Sequence, residues 1–149
     1  MSQNPPLSKR LDPIHRLAQN REDDAARRLA ESQQALMRQE VQLQEMERYL
    51  REYSSGTPAG PIAPSMLANR EAFLRQLGEA LRWQAKAVEE ARGRLDRARQ
   101  QWVGRHRDTD VLEQLIDRSQ SSERRILERR AQREMDEFAA RLPTNRAMG

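Results

Sequence analysis

Seven prolines fall at positions 5, 6, 13, 58, 61, 64 and 143 of the 149-residue chain, leaving 14–57 and 65–142 free of them. An interior proline costs a helix about 3 kcal/mol, because it removes an N–H and its ring collides with the preceding turn. The two proline-free stretches are therefore where long helices can run. Asp12-Pro13 reads as a helix start: Asp caps free N–H groups and Pro suits the first helical position. SSGTPAGPIAP at 54–64 holds two glycines and three prolines and reads as a turn or loop. Leu142-Pro143 closes the second stretch. The expected organisation is a flexible N-terminus over 1–11, a helix over 12–53, a loop over 54–64, a helix over 65–142 and a flexible C-terminus over 143–149.

With 36% hydrophobic and 34% charged residues, the chain is too polar for a large globular core, and either long thin helices or disorder would fit that balance. Periodicity decides. Leu29, Leu36, Leu43 and Leu50 recur at heptad spacing (position a), with Ala18, Ala25, Ser32, Gln39, Met46 and Tyr53 at the companion position d. In the second stretch Leu67, Leu74, Leu81, Val88, Leu95, Trp102 and Ile116 share one heptad phase, interrupted by Thr109. Its d positions include Leu77, Gln84, Ala91, Ala98 and Leu112. A period of 3.5 held this long is the pattern of a coiled coil. A short connection folds two such helices back antiparallel. The expected fold is all-α: a long antiparallel two-helix coiled-coil hairpin with the second helix longer than the first.

At 1.5 Å per residue the helices would be roughly 63 and 115 Å long, so pairing counted from the loop uses up the second helix near residue 107. From about 108 onward an unpaired overhang is expected, carrying the stripe Leu127, Ala131, Met135, Phe138 and Leu142. Gly78, Gly93 and Gly104 interrupt the second helix, for either close helix approach or local bending.

Chemistry is sparse. The chain has no cysteine and only His15 and His106, neither with a second ligand at metal spacing, so no metal, cofactor or thiolate chemistry is expected. Both histidines read as solvent-facing. GTPAGPIAP lacks the closing Gly-Lys-Ser/Thr of a phosphate loop. Acidic pairs such as Asp23-Asp24 have no cleft on a thin hairpin to tune them, so no catalytic residue is assigned and the chain reads as a non-enzyme. The basic stretches 92–99 and 124–130 could follow phosphates, but acids interrupt them and no stacking aromatics accompany them, so nucleic acid is not expected. MSQNPPLSKRLDP lacks the apolar run of a signal peptide and no segment reaches the length of a membrane span, which points to a cytoplasmic protein without direct membrane insertion.

One local feature exceeds what a two-stranded seam needs. Near the loop, Gln42 and Tyr49 on the first helix, and Phe73 and Ala80 on the second, fall at position g beside the seam. Both helices thus widen their apolar stripe on one side. Four of the six aromatics (Tyr49, Tyr53, Phe73 and Trp83) lie in this part of the chain. Two readings fit: rings that shield the seam, or a partner-binding patch, since clustered aromatics are the composition of interface hot spots.

RLDPIHRLAQNREDDAARRLAE at 10–31, QLQEMERYLREY at 42–53, NREAFLRQLGEALRWQ at 69–84 and REMDEFAAR at 133–141 resemble, in order, segments of the FliJ family of the bacterial flagellar type III export apparatus. The resemblance implies an antiparallel coiled coil similar to the stalk of rotary ATPases. It implies binding to a hexameric export ATPase (FliI-like) and to the cytoplasmic part of an export gate (FlhA-like), with links to export chaperones. It also implies a cytoplasmic location, peripherally associated with the inner-membrane export apparatus. The family's gate surface corresponds here to Gln42, Met46, Tyr49, Tyr53, Phe73, Leu77, Ala80 and Gln84, which includes the widened stripe. Arg124, Arg125, Leu127, Arg129, Arg130, Met135 and Phe138 are the expected ATPase contacts, on the overhang. The nearest alternative is the stalk protein of a virulence type III secretion injectisome. A basic nucleic-acid-binding coiled coil and a self-assembling scaffold are further alternatives.

Overall fold

The computed structural model describes residues 4–56 and 63–143. They form two helices, α1 (Leu7–Ser55) and α2 (Pro64–Arg141), and no strand occurs among the described residues. The all-α hairpin with a longer second helix is the observed architecture. Contacts divide the chain into one unit of residues 22–105 and another formed by 1–21 with 106–149.

In the 22–105 unit the seam is apolar and narrow. The residues shielded from solvent on α1 recur at 22, 25, 29, 32, 36, 39, 43, 46 and 50, alternating steps of three and four. On α2 the matching series is 74, 77, 81, 84, 88, 91, 95, 98 and 102. Ala25, Val88, Ala91 and Ala98 are its buried centre, with Ala91 only 1% exposed. These small side chains let the helices approach without forcing a large residue off its rotamer. The Glu40–Arg92 ion pair, 3.5 Å across the seam, is half exposed and contributes little beyond alignment.

The other unit departs from the expected boundaries. Residues 1–11 were expected to be flexible and the helix to start at Asp12-Pro13, but α1 begins at Leu7 and Pro13 lies inside it. Lys9 and Arg10 donate their N–H groups to the Pro6 carbonyl, so the Pro5-Pro6 pair sets the start of the helix. Tertiary contact explains why Pro13 is tolerated. Ser8 and Leu11 are buried, and the Ser8 hydroxyl donates to the Glu123 carboxylate at 2.8 Å while its backbone N–H reaches the same group at 3.3 Å. Those contacts offset the single helical hydrogen bond that Pro13 cannot donate.

Within this unit the helices pair through polar residues. Thr109 is buried, and His15 Nε2 lies 3.2 Å from the Glu113 carboxylate with its side chain only 21% exposed, so His15 is not the solvent-facing residue expected from sequence. Pairing continues to Glu123, and the overhang begins there rather than near 108. One contribution is that α1 begins at Leu7, which gives α2 five more residues to pair with than a start at Asp12 would. At the start of α2, residues 63–69 are all exposed, Leu67 among them despite its heptad phase. Occlusion begins with Arg70, Ala72, Phe73 and Leu74. The connection was read as 54–64, but α1 continues to Ser55; its central residues, 57–62, and the C-terminal 144–149 lie outside the described residues.

The glycines resolve more simply. A Cβ built at Gly78 or Gly104 meets no atom within 4 Å, so close helix approach does not require either glycine. Gly78→Ala combined with Gly104→Ala is expected to raise the unfolding free energy by about 1–2 kcal/mol, from helix propensity alone. Urea unfolding followed by circular dichroism checks this, and an unchanged or lower midpoint would refute it.

Candidate interaction surfaces

Near the end of α1, Tyr49 and Tyr53 stand one turn apart and stack with ring centroids 6.3 Å apart. Phe73 of α2 meets Tyr53 at 4.6 Å and Tyr49 edge-on at 6.3 Å. Such pairs contribute roughly 0.5–1.5 kcal/mol each beyond area burial. The cluster is not closed: Tyr49 is 52% and Tyr53 39% exposed, while Phe73 is half-buried. The three rings thus cap the seam and still present tyrosine faces to solvent. Beside them a groove of about 420 Å³ is lined by Gln42, Glu45, Met46, Arg48, Tyr49, Glu52 and Leu77.

Of the eight residues expected here, the groove and the ring cluster gather Gln42, Met46, Tyr49, Tyr53, Phe73 and Leu77. Ala80 is half-buried on α2, three residues beyond Leu77. Gln84 is committed elsewhere: its Nε2 donates to the backbone carbonyl of Gln39 at 3.0 Å and to its Oε1 at 2.7 Å, inside the seam. Trp83, grouped by sequence with these aromatics, stands apart at 70% exposure with the Lys86 ammonium 5.4 Å from its ring centre.

Three contributing residues are not marked by the sequence pattern. Arg70 donates through Nη2 to the carbonyls of Tyr53, Ser54 and Gly56 at 3.3, 3.2 and 3.0 Å. Those carbonyls lie in and just beyond the last turn of α1, its negative end, which a guanidinium satisfies well. Arg70 lies one turn before Phe73, so it helps hold Tyr53 where Phe73 meets it; only its position three residues before an aromatic hinted at this. Met37 and Val41 also line a second groove of about 620 Å³ with Gln34, Arg38, Gln42 and Glu45. This groove shares Gln42 and Glu45 with the first and extends the concave face along α1. Both apolar residues sit outside the seam phase, so periodicity does not mark them.

The overhang is the second surface. Every described residue from Arg124 onward is exposed, including Arg124, Arg125, Leu127, Arg129, Arg130, Met135 and Phe138. Phe138, at 67% exposed, is as open as a residue on an isolated helix. The spacing of its stripe changes too. Leu127 and Phe138, like Ala131 and Leu142, stand eleven apart, a period near 3.7 rather than the 3.5 of the seam. The stripe is therefore not a continuation of the face that pairs with α1.

Among the described residues no group of three or more acids or histidines could hold a metal, and no helix is long and apolar enough to cross a membrane. The fold and its surfaces define a class: a coiled-coil hairpin whose conspicuous features are exposed aromatic and apolar faces. Residues 8–148 match the family described as flagellar FliJ protein, and the chain belongs to that family. It is accordingly a component of flagellar protein export, as the segments at 10–31, 42–53, 69–84 and 133–141 imply. No individual curated protein matches the chain.

Proposed function

We propose that the chain is a non-enzymatic stalk that binds the hexameric export ATPase through its overhang and the export gate through its aromatic patch. The observation that carries this reading is the pair of unlike uncovered surfaces: an exposed helix over 124–142, basic over 124–133, and a half-exposed Tyr–Tyr–Phe cluster beside a groove. A ligand shifts an equilibrium only by its differential affinity. Binding the assembled ring better than free ATPase subunits would therefore promote assembly and activity. The arginines at 124, 125, 129 and 130 supply charge that steers association with an acidic ring surface. The patch would then couple the ATPase state to the gate, placing the chain in the cytoplasm at the inner-membrane export apparatus. Export chaperones are further candidate partners.

Co-purification with the export ATPase and the gate's cytoplasmic domain from the same genome tests this reading. Capture of both is the expected result. Capture of an injectisome ATPase in preference to the flagellar one would transfer the stalk to a secretion injectisome, and capture of neither would sink the reading.

A further inference from the structure

Leu29, Leu36, Leu43 and Leu50 are identical residues at heptad spacing, facing a second helix with Leu74, Leu81, Val88 and Leu95 at the same spacing. The leucine layers by themselves discriminate weakly against sliding by one heptad, a shift of about 10 Å, because most leucines then face another leucine or valine. Yet the Tyr49–Tyr53–Phe73 cluster exists in one register only. Some contact inside the seam must distinguish the registers, beyond the Arg70 bonds beside the connection.

We propose that Gln39 and Gln84 are that contact, a polar pair that fixes the register of the seam and so positions Tyr49 and Tyr53 against Phe73. Each is the single glutamine at a d position of its helix within 22–105. Both are half-buried and joined by the 2.7 Å side-chain hydrogen bond and the 3.0 Å bond to the Gln39 carbonyl. A backbone carbonyl can only accept, so the pair has a direction: position 84 donates and position 39 accepts. A one-heptad slide sets Gln84 level with Ser32 or Met46, and Gln39 level with Leu77 or Ala91. Beside Met46, Leu77 or Ala91 a half-buried amide loses its partner, a penalty that leucine layers do not impose. A single polar seam residue specifying register at a cost in stability is the established use of such groups. Gln84 is thereby a positioning residue, not a partner contact. The functional consequence rests on the reading of the aromatic patch as the gate surface; the register role does not.

The test uses the full chain, which has no cysteine of its own. Spin labels on Arg28→Cys and Gln76→Cys, both exposed positions about 30 Å apart along the helix axis, report the register as a distance. The parent chain is expected to give one narrow distance. Gln39→Leu with Gln84→Leu should melt at a higher temperature yet add a second distance displaced by about 10 Å, a one-heptad slide. It should also bind the gate's cytoplasmic domain roughly 3- to 10-fold more weakly. Gln84→Glu, which removes the donor, should mix registers, whereas Gln39→Glu keeps the acceptor and should not. Gln39→Glu with Gln84→Lys should restore the single distance. A single unshifted distance in the double-leucine variant overturns the proposal. If that variant shows two distances while gate binding is unchanged, the register role stands and the gate reading of the patch fails.

Discussion

Truncation after Glu123 is expected to abolish stimulation of the export ATPase while leaving the melting temperature of the hairpin within a few degrees of the parent. The cut falls where the physics changes. Up to Glu123, α2 is held by contacts such as the bidentate approach of the Ser8 hydroxyl to Glu123, at 2.8 and 3.1 Å. Beyond it no described residue is shielded, so removal deletes almost no folded-state burial. What it does delete is Leu127, Met135 and Phe138 together with Arg124, Arg125, Arg129 and Arg130. Apolar anchors of this kind typically contribute about 2 kcal/mol or more each once buried by a partner, so losing three removes several orders of magnitude in affinity. An ATPase assay titrated with full-length and truncated chain, run beside thermal melts by circular dichroism, separates the two effects. Undiminished stimulation by a folded truncated chain would show that the ring contact lies elsewhere.

The contrast between the two units explains what the sequence could disclose. Leucine at every seventh position identifies a coiled coil because nothing else requires that spacing, and proline placement separates the two helices. Both signals depend on residues whose physics is the same wherever they occur. The pairing of residues 1–21 with 106–123 is written differently. Ser8, His15, Ser119 and Glu123 occupy seam phase, but as polar residues they are indistinguishable in sequence from a solvated face. Only the partner across the seam gives them a role. Pro13 then reads as a boundary because its cost is known, whereas the burial of Ser8 and Leu11 that offsets it is visible only in three dimensions. The aromatic patch was legible as excess apolar width on one flank. Arg70 and the inward turn of Gln84 were not, since a long polar side chain can reach a backbone carbonyl or water equally well until the fold decides. Met37 and Val41 show the converse, apolar residues that no periodicity accounts for and that a groove now connects to the patch.

For that patch, Tyr49→Ala combined with Phe73→Ala is expected to weaken binding of the gate's cytoplasmic domain by roughly 10- to 1,000-fold, the loss of two aromatic anchors at a hot spot. The cluster also holds the end of the seam together, through the 4.6 Å Tyr53–Phe73 contact and the 6.3 Å contacts made by Tyr49. A fall of a few degrees in melting temperature should therefore accompany the loss. Two features keep these effects separable. The buried centre at Val88, Ala91 and Ala98 is untouched, so helicity at working temperature should be retained. And Tyr49 is half exposed, so its single replacement costs the fold little while removing much of the surface offered to a partner. If shielding the seam were the whole purpose of the rings, Tyr49→Ala would lower stability in proportion to its buried fraction and leave gate affinity unchanged. If they are the gate surface, the affinity loss should far exceed the stability loss, and most of it should appear in the dissociation rate. Calorimetric titration of the folded variants with the gate domain distinguishes these outcomes, and equal affinities for parent and double variant would remove the patch from the interface.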